Sequence, residues 1–208
     1  MTATSSPTTP FSFDFAPQAT QDADLLSQWG FLPGLKELLM VRQVHALEHA
    51  TVWILGEANR SPFGTNSPSR TDNESLGGMS TENGFFLYGN VNTSDLRRAV
   101  QTALQRLKGG EWDLAVHPRC GTNLSVGILL GTGLAFAINQ LLPKTPWEQF
   151  LGLGIAATTA AGIAPDLGQW VQRYATTAIP FNLAVAEIVP TQDMWGRGAH
   201  FVRLRWVE

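Results

Sequence analysis

The sequence predicts an α+β fold: a small mixed domain with one long helix and a short antiparallel sheet, plus a two-helix membrane hairpin. Three observations carry that reading. Residues 33–58 place apolar side chains at helical spacing, with no Gly or Pro between Leu35 and Leu55. The C-terminal "HFVRLRWVE" alternates, with Val202, Leu204 and Trp206 on one face and Arg203 and Arg205 on the other. Residues 121–143 and 150–165 contain no charged side chain.

In chain order, residues 1–24 are rich in Ser, Thr and Pro and read as a disordered tail. They lack the basic start and apolar core of a secretory signal. A single domain is expected from residue 25 to the end. Its long helix opens near Pro33, which suits a first turn, and closes by Ala58, with Gly56 suiting an end. Residues 58–78, "ANRSPFGTNSPSRTDNESLGG", are polar and turn-forming and read as a long mobile loop. "GFFLYGNV", 84–91, reads as a strand. Residues 92–110 read as a helix with Ser94 as N-cap, a stripe of Leu96, Val100, Leu104 and Leu107, and a stop at Gly109-Gly110. "EWDLAVHPRCG", 111–121, reads as a short strand running into a turn at Pro118. The stretch from Asn182 onward reads as two strands around a turn at 190–198.

The hairpin is placed at about 122–172. A bilayer core takes about 20 apolar residues as helix. The first uncharged run meets that length; the second meets it only by continuing past Pro165 or by tilting. Thr145, Pro146 and Glu148 fit N-cap, first turn and capping-box partner. Trp147, Trp170 and Tyr174 fall near the expected interfaces. Gly127, Gly131 and Gly133 on one helix, and Gly152, Gly154 and Gly162 on the other, suit close approach. The competing reading is a helical hairpin buried in a soluble core. Against it, only 15% of residues are charged, where soluble domains carry about 25%.

The flanks of the hairpin carry Arg119, Arg173, Arg197, Arg203 and Arg205, and its turn only Lys144 and Glu148. The positive-inside rule then turns the soluble part to the cytoplasm. Asp166, just after Pro165, reads as an interfacial acid. The expected partner is the lipid bilayer, with a membrane-protein partner left open. A net charge of −3 and a pI near 5.8 argue against nucleic acid. A single cysteine excludes an intrachain disulfide.

The chemistry gathers in two short stretches. In "HALEH", His45 and His49 stand at i and i+4 and share a helix face. Two imidazoles so placed can hold one metal ion. Glu48 completes H-x-x-E-H, a pattern in which both histidines are ligands and the glutamate is the base. The second stretch, "HPRCGTN" at 117–123, sets His117 and Cys120 three apart, and both types are common zinc ligands. A divalent transition metal, zinc first, is the expected cofactor. Arg119 reads either as an anion partner or as an interfacial anchor. His200, alone on a strand, reads as an ordinary histidine.

"HALEHATV" followed by "HPRCGTN" and an apolar helix resembles the YqhQ-like predicted metal-dependent membrane proteins. It resembles more closely an uncharacterised domain-of-unknown-function family of cyanobacteria and their relatives. The resemblance runs from about Leu38 to Leu142 and on to the end of the chain. Asn123 departs from the Ser and aromatic of the YqhQ-like proteins, and this chain has fewer membrane segments. The resemblance implies a metal site rather than a particular reaction.

Three arrangements stand open. His45, His49, His117 and Cys120 close a four-ligand structural site in a binding or assembly factor. Alternatively three of them bind, water takes the fourth place, and Glu48 is the base of a membrane-bound metal-dependent hydrolase. In the third, Cys120 at a helix start is a nucleophile without metal.

Overall fold

A computed structural model describes residues 17–58, 74–142, 145–193 and 195–207. The expectations for residues 1–16 and for loop residues 59–73 lie outside these. Within them the chain forms five α-helices and one four-stranded antiparallel sheet. Helix α1 is Gln21–Trp29, so residues 21–24 are helical rather than tail. Helix α2 is Leu35–Ala58. It starts two residues after Pro33 because Gly34 adopts φ 84°, and it continues past Gly56.

Strands β1 (Gly77–Thr81) and β2 (Gly84–Tyr88) form a hairpin, and helix α3 is Thr93–Lys108. β1 takes up the last two residues of the stretch expected to be loop. The N-cap of α3 is Asn92, not Ser94. The Asn92 side chain accepts from the Asp95 N–H, while the Ser94 hydroxyl donates back to Asn92 Oδ1.

The expected strand at 111–121 is absent. Trp112–Ala115 is a 3₁₀ turn, and the carbonyls that a strand would pair go to side chains of α2. Ala115 O accepts from His49 and Val116 O from the Trp53 indole. β3 (Leu183–Gln192) and β4 (Gly198–Trp206) complete the sheet, in the order β1-β2-β4-β3.

Register explains the core. Phe85 of β2 pairs with Val202 of β4, which pairs with Ile188 of β3, and all three are buried. They face Val44 and Leu47 of α2 and Leu96, Val100 and Leu107 of α3 within one cluster. Arg203 and Arg205 lie on the opposite face of β4, exposed, as the alternation requires. Buried residues occur all round α2, which accounts for its broad apolar pattern.

Helices α4 (Gly121–Leu141) and α5 (Pro146–Val171) form the apolar hairpin. α5 runs through Pro165 and ends in a π-helical turn, Gln172–Thr176. Both helices are long and apolar enough to cross a membrane. A 21-residue helix is about 31 Å long, matching a hydrocarbon core of about 30 Å. α4 buries no residue, and Leu129, Phe136 and Phe150 stand in the open.

The two helices meet through Gly127 against Ala164 and Gly131 against Ala160, where an added Cβ would lie 3.6 and 3.7 Å from the alanine methyls. A Cβ at Gly152 would lie 2.6 Å from Ile138 and Leu142. Gly133, Gly154 and Gly162, expected at this contact, face no neighbour within 4 Å. At the start of α5, Thr145 is the N-cap residue, but its hydroxyl donates to the Glu148 carboxylate instead of capping the backbone.

Candidate metal centre

The site forms where α2 crosses the ends of α4 and α5 nearest the sheet domain. α2 contributes His45, Glu48 and His49 from consecutive turns. The turn 117–120 is held from three sides. The His117 N–H donates to Gln172 Oε1 at 2.9 Å, and Gln172 Nε2 donates to Asn123 Oδ1 at 2.6 Å. Asn123 Nδ2 in turn donates to Pro118 O at 2.7 Å. Gln172 is fully buried, so this network fixes the end of the hairpin to the turn. Cys120 follows as the N-cap of α4, its sulfur accepting from the Thr122 N–H at 3.4 Å.

His45, His49 and Cys120 offer ligand atoms that all lie within 4.8 Å of one another. Each imidazole is oriented by its other nitrogen. His45 Nδ1 lies 3.0 Å from Thr176 O, and His49 Nδ1 lies 2.7 Å from Ala115 O. A carbonyl only accepts, so both Nδ1 atoms carry the proton. In the neutral rings the Nε2 atoms then carry the lone pairs, the usual arrangement in metal-binding histidines. Cys120 Sγ is 3.2 Å from His45 Nε2. Zinc bond lengths of about 2.0–2.3 Å in a tetrahedron put neighbouring ligand atoms roughly 3.5 Å apart. The donor set fits zinc, and the Cys120–His45 spacing is close to that edge.

His117 is not one of this trio, although its ring centroid lies 5.7 Å from that of His49. Its ring packs on Trp53, with centroids 4.6 Å apart, and its Nδ1 accepts from the Arg119 N–H at 3.3 Å. In the neutral ring its proton is therefore on Nε2, the opposite tautomer to the other two. It lines the same cavity, of about 420 Å³, as the trio, Glu48, Arg119 and the apolar Val41, Val52, Leu76 and Met79. His200 bonds Thr93 across the domain and takes no part. Asp166 is exposed on α5.

Glu48 is buried, and its Oε2 accepts from the Ser80 hydroxyl at 2.6 Å. Burial pushes its acid above the usual glutamate range, only partly offset by Ser80 and by the charge of His45. Cys120 moves the other way. Burial works to raise its thiol, but the hydrogen bond and charge of His49, with Thr122, hold it below the ordinary cysteine value. A thiol held below its ordinary pKa favours the thiolate that metals bind.

Sequence reasoning missed Gly78 and Gln172. A Cβ at Gly78 would lie 2.1 Å from Glu48 Oε1, so a larger residue there would displace the carboxylate from where it stands. The "GG" of 77–78, inside a strand, was the available signal for close approach.

The family model described as Domain of unknown function (DUF6391) matches residues 40–188, which take in the trio, Glu48 and both apolar helices. The chain belongs to that family. An uncharacterized protein of the cyanobacterium Picosynechococcus sp. is 55% identical over 193 residues, covering 92% of each chain. No solved structure matches. The expected place in a cyanobacterial family of unknown function therefore holds.

Proposed function

We propose that the protein is an integral membrane, metal-dependent hydrolase of the zinc type, with its sheet domain facing the cytoplasm. One observation carries the reading. Two histidines with Nδ1 fixed on backbone carbonyls turn their Nε2 atoms to one cysteine, on the wall of a cavity that Glu48 also lines. The resemblance of both motifs to the YqhQ-like proteins supports the metal site, not a particular reaction.

His45, His49 and Cys120 are the ligands, and the cavity side is left for water and substrate. A bound zinc ion supplies a Lewis acid that lowers the pKa of water to about 7. With a metal held by His45, His49 and Cys120, Glu48 would be the group placed to take up a proton on the cavity side and give it to a leaving group; burial holds its acid above the usual glutamate range. Ser80 orients the carboxylate through Oε2. The metal also ties α2 to the first turn of α4.

That tie supports a second reading, a structural metal in a binding or assembly factor. Cobalt(II) substitution separates the two without a substrate. In the hydrolase, the visible spectrum of the cobalt protein changes with pH as bound water ionises, and Glu48→Gln shifts that midpoint. A spectrum that is independent of pH in both proteins, with thiolate absorption intact, rejects the hydrolase and leaves the structural site.

A further inference from the structure

Beyond the hairpin, a second apolar surface stands uncovered at the corner between α1 and α2. Trp29, Phe31, Leu32 and Leu38 are 50%, 74%, 45% and 58% exposed. The rings of Trp29 and Phe31 lie 5.9 Å apart. Single exposed apolar residues are ordinary; four large ones at one corner mark a contact surface.

The helix itself shows which way this corner faces. Leu38, Arg42, His45 and His49 are spaced i, i+4, i+7 and i+11, which places them on one face of α2. Three of these four meet the hairpin ends. Arg42 donates to Thr177 O at 3.2 Å and to Tyr174 O at 3.4 Å. His45 bonds Thr176 O, and His49 joins the cap residue of α4. Leu38 lies one turn earlier on that face, past the point where the hairpin covers it. It therefore points to the same side as the hairpin, whose end carries the Trp170–Tyr174 ring pair, with centroids 5.3 Å apart.

We propose that the α1–α2 corner is a second membrane contact, seating Trp29, Phe31, Leu32 and Leu38 in the bilayer interface next to the hairpin. The proposal rests on the hairpin being embedded in lipid. Aromatic rings next to aliphatic ones suit that depth. Charge does not drive the contact, because the exposed Lys36 at this corner is offset by the exposed Asp24 and Glu37. Apolar burial drives it, so anionic lipid and salt leave it unchanged. Val41, one turn from Leu38, lines the cavity of the metal centre. The contact thus holds the cavity mouth against the membrane surface.

The test uses the full chain in nanodiscs of phosphatidylcholine, with or without phosphatidylglycerol. The photo-crosslinker p-benzoylphenylalanine replaces, one at a time, Phe31, Leu38, the mid-hairpin Leu129 and the exposed Arg98 of α3. Each site is exposed, so folding tolerates the change. Lipid adducts at 31 and 38, comparable in yield with 129, absent at 98 and indifferent to salt and lipid charge, are expected. Adducts at 129 without adducts at 31 and 38 overturn the proposal while leaving the hairpin in lipid. Products of doubled mass from 31 or 38 overturn it in favour of a second copy. No lipid adduct at 129 overturns the membrane reading, and this proposal with it.

Discussion

Helix α2 serves two regions built on opposite terms. Towards the sheet it buries Val44, Leu47 and Ala50 in an apolar cluster with α3 and β2. Elsewhere round its circumference it buries Gln43, Glu48 and His49, polar groups paired with Asp22 and Asn182, with Ser80 of β1 and with Ala115 O. The first region is held by volume and loses stability in proportion to the volume removed. The second is held by donors and acceptors. Polar groups out of water cost free energy unless paired, so a seam like this is kept for what it binds.

The largest effect separating the two is expected at Leu47, which is fully buried in the cluster. Leu47→Ala should cost about 2–5 kcal/mol in chemical denaturation, with metal content per folded chain unchanged. Next comes the hairpin, where two glycines provide an internal control. Gly152→Val drives a side chain into Ile138 and Leu142 and should cost about 1–3 kcal/mol, while Gly154→Val, with nothing within 4 Å, should leave unfolding unchanged. Equal effects of the two would break the packing account. Gln172→Ala removes the acceptor of the His117 N–H and the donor to Asn123. It should cost about 1–3 kcal/mol and weaken metal retention, which dialysis against a chelator reads.

The smallest effect lies far from the seam. Asp193 in the β3–β4 turn accepts from the Trp195 and Arg197 N–H groups and from the Arg197 guanidinium. Burial works to raise its acid, but these donors hold it below the usual range. A depressed folded value means its stabilisation is present above the unfolded aspartate value of about 3.9 and lost as pH falls through the folded one. Asp193→Asn should therefore lower Tm slightly at neutral pH and converge with wild type in acid.

What was legible in the sequence follows the same division. The alternation of β4, the periodicity of α3 and the uncharged runs report burial and exposure directly, and the elements they predict are present. β1 was missed because "GGMST" pairs through its backbone and offers no apolar alternation. The strand expected at 111–121 failed because its carbonyls serve His49 and Trp53, partners more than 60 residues away. In the site, i and i+4 spacing on a helix fixed how His45 and His49 meet. No such rule fixes a ring in a turn. Three-residue spacing from Cys120 put His117 in the ligand set, whereas its ring lies on Trp53, outside the trio.

Metal content of the detergent-purified protein tests the central claim most directly, with His49→Ala, Cys120→Ser and His117→Ala measured alongside. An open three-ligand site predicts about one zinc or similar divalent ion per chain, lost in the first two variants and kept in the third. No metal in the wild-type protein, even after reconstitution with zinc, would contradict the account.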